Sequence, residues 1–301
     1  MMTFTALRNL YGVLTNDTSS AALTVGDGLV NQAYRLITSA KDWDFLQRTK
    51  TDSTVASQQF YNLPADYDSL VNVTVTQGTT VYTPRECPSR VQWDSLNATT
   101  SWTSNFPEWY FIFNGTIGFY PTPSSSTASA ITYIYRKRIS DLSSADYTTG
   151  NVSAITTATT AVTGSGTTWT APMAGRYIRV TPTDTALASG DGLWYEVSSA
   201  TATAIVLSDA YLGSTISSNT AYTIGQVPVL PEPYQVLPVY KAVEIYFSSI
   251  MPDTGKAELY RRQYDEYYAR LLADYSPKTT SVVIETMPRY PKNPNLFIGL
   301  S

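Results

Sequence analysis

Gln59–Val75 reads QFYNLPADYDSLVNVTV, and how its centre is read decides the fold. Its last six residues, LVNVTV, have the β-branched, period-two pattern of a strand. Ahead of them stand an aromatic pair, Pro64, and two carboxylates, Asp66 and Asp68. A catalytic reading of that pair would need helpers, and the chain contains no histidine, which removes the commonest general base and the commonest transition-metal ligand. A single cysteine, Cys87, excludes an intrachain disulfide and a thiolate cluster. Carboxylate-only glycosidase chemistry stays open on these grounds. The simpler reading is a turn, in which proline fixes φ and aspartate bonds nearby backbone before the chain enters a strand. No catalytic, cofactor-binding or metal-binding residue is assigned, and the expectation is a protein without enzymatic activity.

The whole chain supports that choice. Its 301 residues suffice for two domains, and only 15% are charged against the roughly 25% usual in globular proteins. So little charge implies that much of the surface is covered by other chains. The 23 tyrosines and 6 tryptophans argue against disorder. A net charge of −4 provides no field to capture nucleic acid. No apolar run suggests a membrane span, and MMTFTALRNL lacks a signal-peptide core, so a soluble protein made in the cytoplasm, without membrane contact, is expected.

Outward from the opening stretch, helices flank strands on both sides. Toward the N-terminus, Phe4, Leu7, Leu10, Tyr11 and Leu14 recur at helical spacing until Asn16–Ser20. A second helix is expected from a cap at Thr24, with Val25, Leu29, Ala33, Leu36, Ile37 and Ala40 on one face, closing at Trp43 and Phe45. Toward the C-terminus, a short helix is expected over Ser89–Leu96. FIFNGTIGFYP reads as a hairpin turning at Asn114-Gly115. From Ser143 to Thr223 the composition shifts to Thr, Ser, Ala and Gly, and two stretches resemble each other, VSAITTATTAV from Val152 and VSSATATAIVL from Val197. This region reads as a small immunoglobulin-like sandwich or barrel. The glycines of TGSGTTW form a turn, since no lysine or helix follows as a phosphate loop requires.

Beyond Gly225 two helices are expected. The first has Val239, Ala242, Val243, Tyr246, Phe247 and Ile250 on its apolar face. The second runs from about Asp253 to Tyr275, with Glu258, Arg262, Glu266 and Arg270 as i, i+4 neighbours on one side and Tyr260, Tyr264, Tyr267, Leu271 and Tyr275 on the other. The fold class is therefore α+β: a helical bundle from both chain ends with an inserted β-hairpin region, residues 1–142 and 226–276, a β module at 143–225, and an extended arm at 277–301. The arm, with three prolines and an apolar end, suits added-strand or polyproline-type contact.

The succession WDFL, FYNLPADYDSLVNVTV, YTPRE, GFYPTP, ITYIYRKRISDL and YKAVEIYF resembles the head-to-tail adaptor, or connector, proteins of short-tailed phages over Thr3–Leu142 and Val229–Ser276. The β module departs from a minimal adaptor. The resemblance implies a virion protein at the head-tail junction, forming a homo-oligomeric, commonly dodecameric ring that binds the portal protein and receives tail nozzle or tail-fibre proteins. Double-stranded DNA would pass through its channel, and no cofactor is implied.

On that reading, the arm residues Val282, Val283, Ile284, Arg289, Tyr290, Leu296, Phe297 and Ile298 are portal-docking candidates. The tyrosine face of the last helix is an inter-subunit candidate, equally suited to core packing. Arg136, Lys137 and Arg138 are channel candidates, set against a solvated strand end. The alternative from another class is a tail-fibre or decoration protein whose β module binds glycans through Trp169, Trp194 and Tyr195, which also fit core positions.

Overall fold

A computed structural model describes residues 1–98, 102–182 and 190–275. Helix α1 (Phe4–Thr15) starts where Thr3 accepts the Ala6 N–H at 3.2 Å, and stops at Asn16, whose φ of 57° is left-handed. Helix α2 (Ser20–Ser39) begins earlier than the sequence suggests. Ser19 is its cap, and Thr24 instead bonds the Ser20 carbonyl within the helix. Its buried side is Gly26, Val30, Ala33, Tyr34 and Ile37, while Val25 and Leu36, expected inside, are 43% and 49% exposed. The cause is the crossing with α1: a Cβ at Gly26 would lie 2.4 Å from the Tyr11 ring, so the two helices meet there and fix the rotation of α2.

The first β region contains β1 (Gln47–Thr54), β2 (Phe60–Asn62), β3 (Tyr67–Gln77), β4 (Thr80–Tyr82), β5 (Arg85–Glu86), then helix α3 (Arg90–Ala98), and β6 (Trp109–Phe113), β7 (Thr116–Tyr120) and β8 (Thr127–Lys137). Two sheets form, ordered β1-β8-β3-β4 and β2-β7-β6-β5. They share one core that includes Tyr61, Val73, Val75, Ile117, Phe119, Ile131 and Tyr133. Asn114 and Gly115, with φ of 49° and 74°, supply the β6-β7 turn expected from the sequence.

The Thr/Ser-rich region contains β9 (Asn151–Ile155), β10 (Ala161–Ser165), β11 (Tyr177–Val180), β12 (Trp194–Ala200), β13 (Ala204–Leu207) and β14 (Tyr222–Gly225). They make one sheet in the order β14-β11-β12-β13-β10-β9, around its own apolar cluster. The sheet curls, because Val152 and Ile155 on its β9 edge bridge to Thr220 and Ile216 in the segment leading to β14. The two similar stretches are the hairpins β9-β10 and β12-β13, and they meet where Ala161 pairs with Val206. Those residues occupy the same position in the two stretches, so the hairpins are related by a local two-fold through that pair.

Helix α4 (Leu237–Ile245) continues as one π turn, Tyr246–Ile250, before α5 (Thr254–Tyr275), where Asp253 accepts the Lys256 N–H. The wider π turn slips the helical phase, so Ile250, expected on the apolar face, is 46% exposed. Residues of α1, α2, α4 and α5 share one core, with Leu7, Tyr11, Tyr34, Ile37, Val243 and Leu271 among its buried members. The chain enters and leaves the Thr/Ser-rich region side by side. Gln226 accepts the N–H groups of Ser143 and Ser144 at 2.8 and 3.0 Å and donates to the Asp141 carbonyl, while buried Asn31 bonds both backbone groups of Leu142.

Candidate functional site

Asp66 sits in a turn closed by Tyr67 N–H to Pro64 O, at 3.0 Å, and Asp68 follows it at the start of β3. Their side chains do not bond nearby backbone as the sequence suggested; both reach across the sheet to β8. Asp66 accepts the Tyr135 hydroxyl at 2.9 Å, and burial together with that carboxylate pushes the phenol up to about 12. Asp68 binds the Arg136 guanidinium at 2.5 Å, which also binds Asp42 at 2.7 Å. Both carboxylates are thus committed to structure. No group of metal-ligating side chains occurs among the described residues.

The basic run is partly held by the protein's own groups. Arg136 is held between two aspartates, Arg138 donates to the Ala65 carbonyl at 3.3 Å, and Lys137 is half-buried. Desolvation, then the like charge of Arg48, lowers the Lys137 ammonium below the ordinary lysine range. β8 is flanked by β1 and β3, and of the three cations at its end Arg136 and Lys137 are part-buried while Arg138 is exposed.

On α5 the tyrosine face lies against the helical core. Leu271 is fully buried and is the buried residue of this helix, while Tyr260, Tyr264, Tyr267 and Tyr275 remain half-buried. Two residues that the sequence reading passed over complete the array. Tyr240 stacks on Tyr260 at 6.4 Å and meets Tyr267 edge-on at 5.7 Å, and Tyr268 stacks on Tyr264 at 5.5 Å. Lys241 stands 5.1 Å over the Tyr264 ring, whose phenol burial pushes up to about 12. Spacing carried the missing signal, since Tyr268 is one helical turn from Tyr264. On the opposite side, Arg262 pairs with Glu258 at 3.1 Å and Arg270 with Glu266 at 2.5 Å. The array is a half-wet aromatic surface, with its inner rim spent on the protein's own core and its outer rim open to solvent.

The residues considered for sugar stacking divide. Trp169 is buried and donates to the Tyr222 hydroxyl at 2.7 Å, and Tyr195 is 7% exposed. Trp194 faces outward, beside a cleft of about 760 Å3 between the curled sheet and the Met1 and Glu232 region. The arm candidates Val282, Val283, Ile284, Arg289, Tyr290, Leu296, Phe297 and Ile298 lie outside the described residues. Among the described residues, no helix is long and apolar enough to cross a membrane.

Residues 2–159, just over half of the chain, match the family described as SU10 adaptor protein. The match runs through the first helices and the first β region and ends in the β9-β10 hairpin. No curated protein matches the chain.

Proposed function

Because the chain belongs to the SU10 adaptor protein family, and is thus a phage structural adaptor, we propose that it forms a ring joining the portal to the tail. The family match is the observation that carries this reading. Neighbouring copies pack through the half-buried tyrosines of α5, and the ring is dodecameric, with double-stranded DNA passing through its channel. The arm at 277–301 docks on the portal, and tail nozzle or fibre proteins bind the other side. Many modest contacts repeated around a ring give strong attachment through effective concentration.

The domain division follows from the same reading: residues 1–142 with 226–276 form the adaptor body, and 143–225 is an added module presented to tail components. The protein acts by assembly and not by catalysis, as a family of structural adaptors implies. Native mass measurement of the purified protein tests ring formation. The expected species is a closed ring or a ring in equilibrium with monomer; a monomer that stays single when mixed with portal contradicts the proposal.

A further inference from the structure

The cleft beside Trp194 is lined by Leu193, Trp194, Leu212, Arg179, Asp209 and Glu232. Leu193 and Leu212 are 50% and 73% exposed. Arg179 and Trp194 are directly opposed on β11 and β12 and share one face of the sheet. Among the described residues, neither the Arg179 guanidinium, the Trp194 indole N–H nor the Asp209 carboxylate has a hydrogen bond or ion pair. Among the described residues the cleft thus offers apolar walls, two donors and a carboxylate without partners.

Helix α5 stops close to this cleft. Tyr275 lies 6.1 Å from Tyr234, and Asp274 accepts the Tyr234 hydroxyl. Tyr234 belongs to the short helical turn Glu232–Tyr234, and Glu232 is a wall of the cleft. Downstream, Pro288, Pro291 and Pro294 recur at every third residue, with Arg289 and Lys292 one position after the first two. Three is the period of the polyproline helix, a conformation in which prolines spaced by three share one edge and backbone carbonyls have no internal partner. The 13 positions from Tyr275 to Pro288 reach at most about 45 Å, ample for a cleft at the helix exit.

We infer that residues 288–294 seat in this cleft of their own chain. The prolines pack on Trp194, Leu193 and Leu212, as proline-rich segments do in aromatic-lined grooves. Trp194 and Arg179 donate to the segment's free carbonyls, and Asp209 receives Arg289 or Lys292. The seating stores the arm against the protein's own body before assembly, and it stands independently of portal docking.

The test is a photo-crosslinking amino acid at Leu212 in the full-length free protein, with products mapped by mass spectrometry. The expected product joins position 212 to residues 286–298 and keeps single-chain mass on a denaturing gel. Replacing Pro288, Pro291 and Pro294 together with alanine is expected to reduce it at least ten-fold at unchanged melting temperature. Products that miss this segment, that run at twice the chain mass, or that persist in the triple variant overturn the inference. Because portal is absent from the experiment, its failure is separate from failure of ring or portal binding.

Discussion

Asn31 is 9% exposed and uses its amide to satisfy both backbone groups of Leu142, at 2.8 and 2.7 Å. Removing it strands a buried donor and a buried acceptor where the chain leaves the first β region. Asn31→Ala should therefore lower unfolding free energy by about 2 to 4 kcal/mol, checked by urea denaturation. Asp68→Asn removes an ion pair on a 38% exposed carboxylate and should cost under about 1 kcal/mol. These roles were not legible in the sequence, because the partners are 111 residues apart for Asn31 and 68 for Asp68. Proline and aspartate announced a turn at residues 64–68, but only the pairing of β3 with β8 decides what the carboxylates bind.

The phenols make a second prediction at this scale. Burial raises Tyr11, Tyr34, Tyr222 and Tyr264 to about 12, from an ordinary value of 10.0. A raised folded value means stability that is complete below pH 10 and lost as pH rises toward 12, where the unfolded chain ionises more readily. Thermal unfolding followed across alkaline pH should show a falling melting temperature in that window. Absorbance at the tyrosinate band should show a fraction of phenols titrating only with unfolding. With no histidine, no imidazole contributes to stability between pH 5 and 8.

Among the elements, α5 differs from the other long helices in burying only Leu271 completely. Tyr264→Ala with Tyr267→Ala should leave a folded protein, destabilised by about 1 to 3 kcal/mol, while reducing self-association ten-fold or more. Sedimentation of the double variant checks this, and unchanged association would assign the tyrosines to the protein's own core alone. Helix ends were legible at Asn16 and Asp253, whereas α2 starts at a Ser19 cap and not at Thr24. The rotation of α2 and the exposure of Ile250 were not, because a glycine contact with another helix sets the first and a π turn the second. In the Thr/Ser-rich region the repeated phrase announced two hairpins. Their join through Ala161 and Val206 depends on pairing between strands that periodicity alone cannot assign.

At the scale of the molecule, Gln226 holds the entry and exit of the Thr/Ser-rich region together, so replacing residues 143–225 with a short linker should leave the helical core folded. Circular dichroism and melting of that variant check the point; loss of cooperative unfolding would show that the curled sheet is needed by the core. The α+β class and the flanking of strands by helices were legible because helical and strand periods alternate along the chain. On the proposed reading, this phage adaptor-type chain makes a ring between portal and tail. Electron microscopy of the purified protein mixed with its phage's portal tests it most directly. Rings of this protein stacked coaxially on the portal are expected, whereas isolated monomers beside bare portals would contradict ring formation.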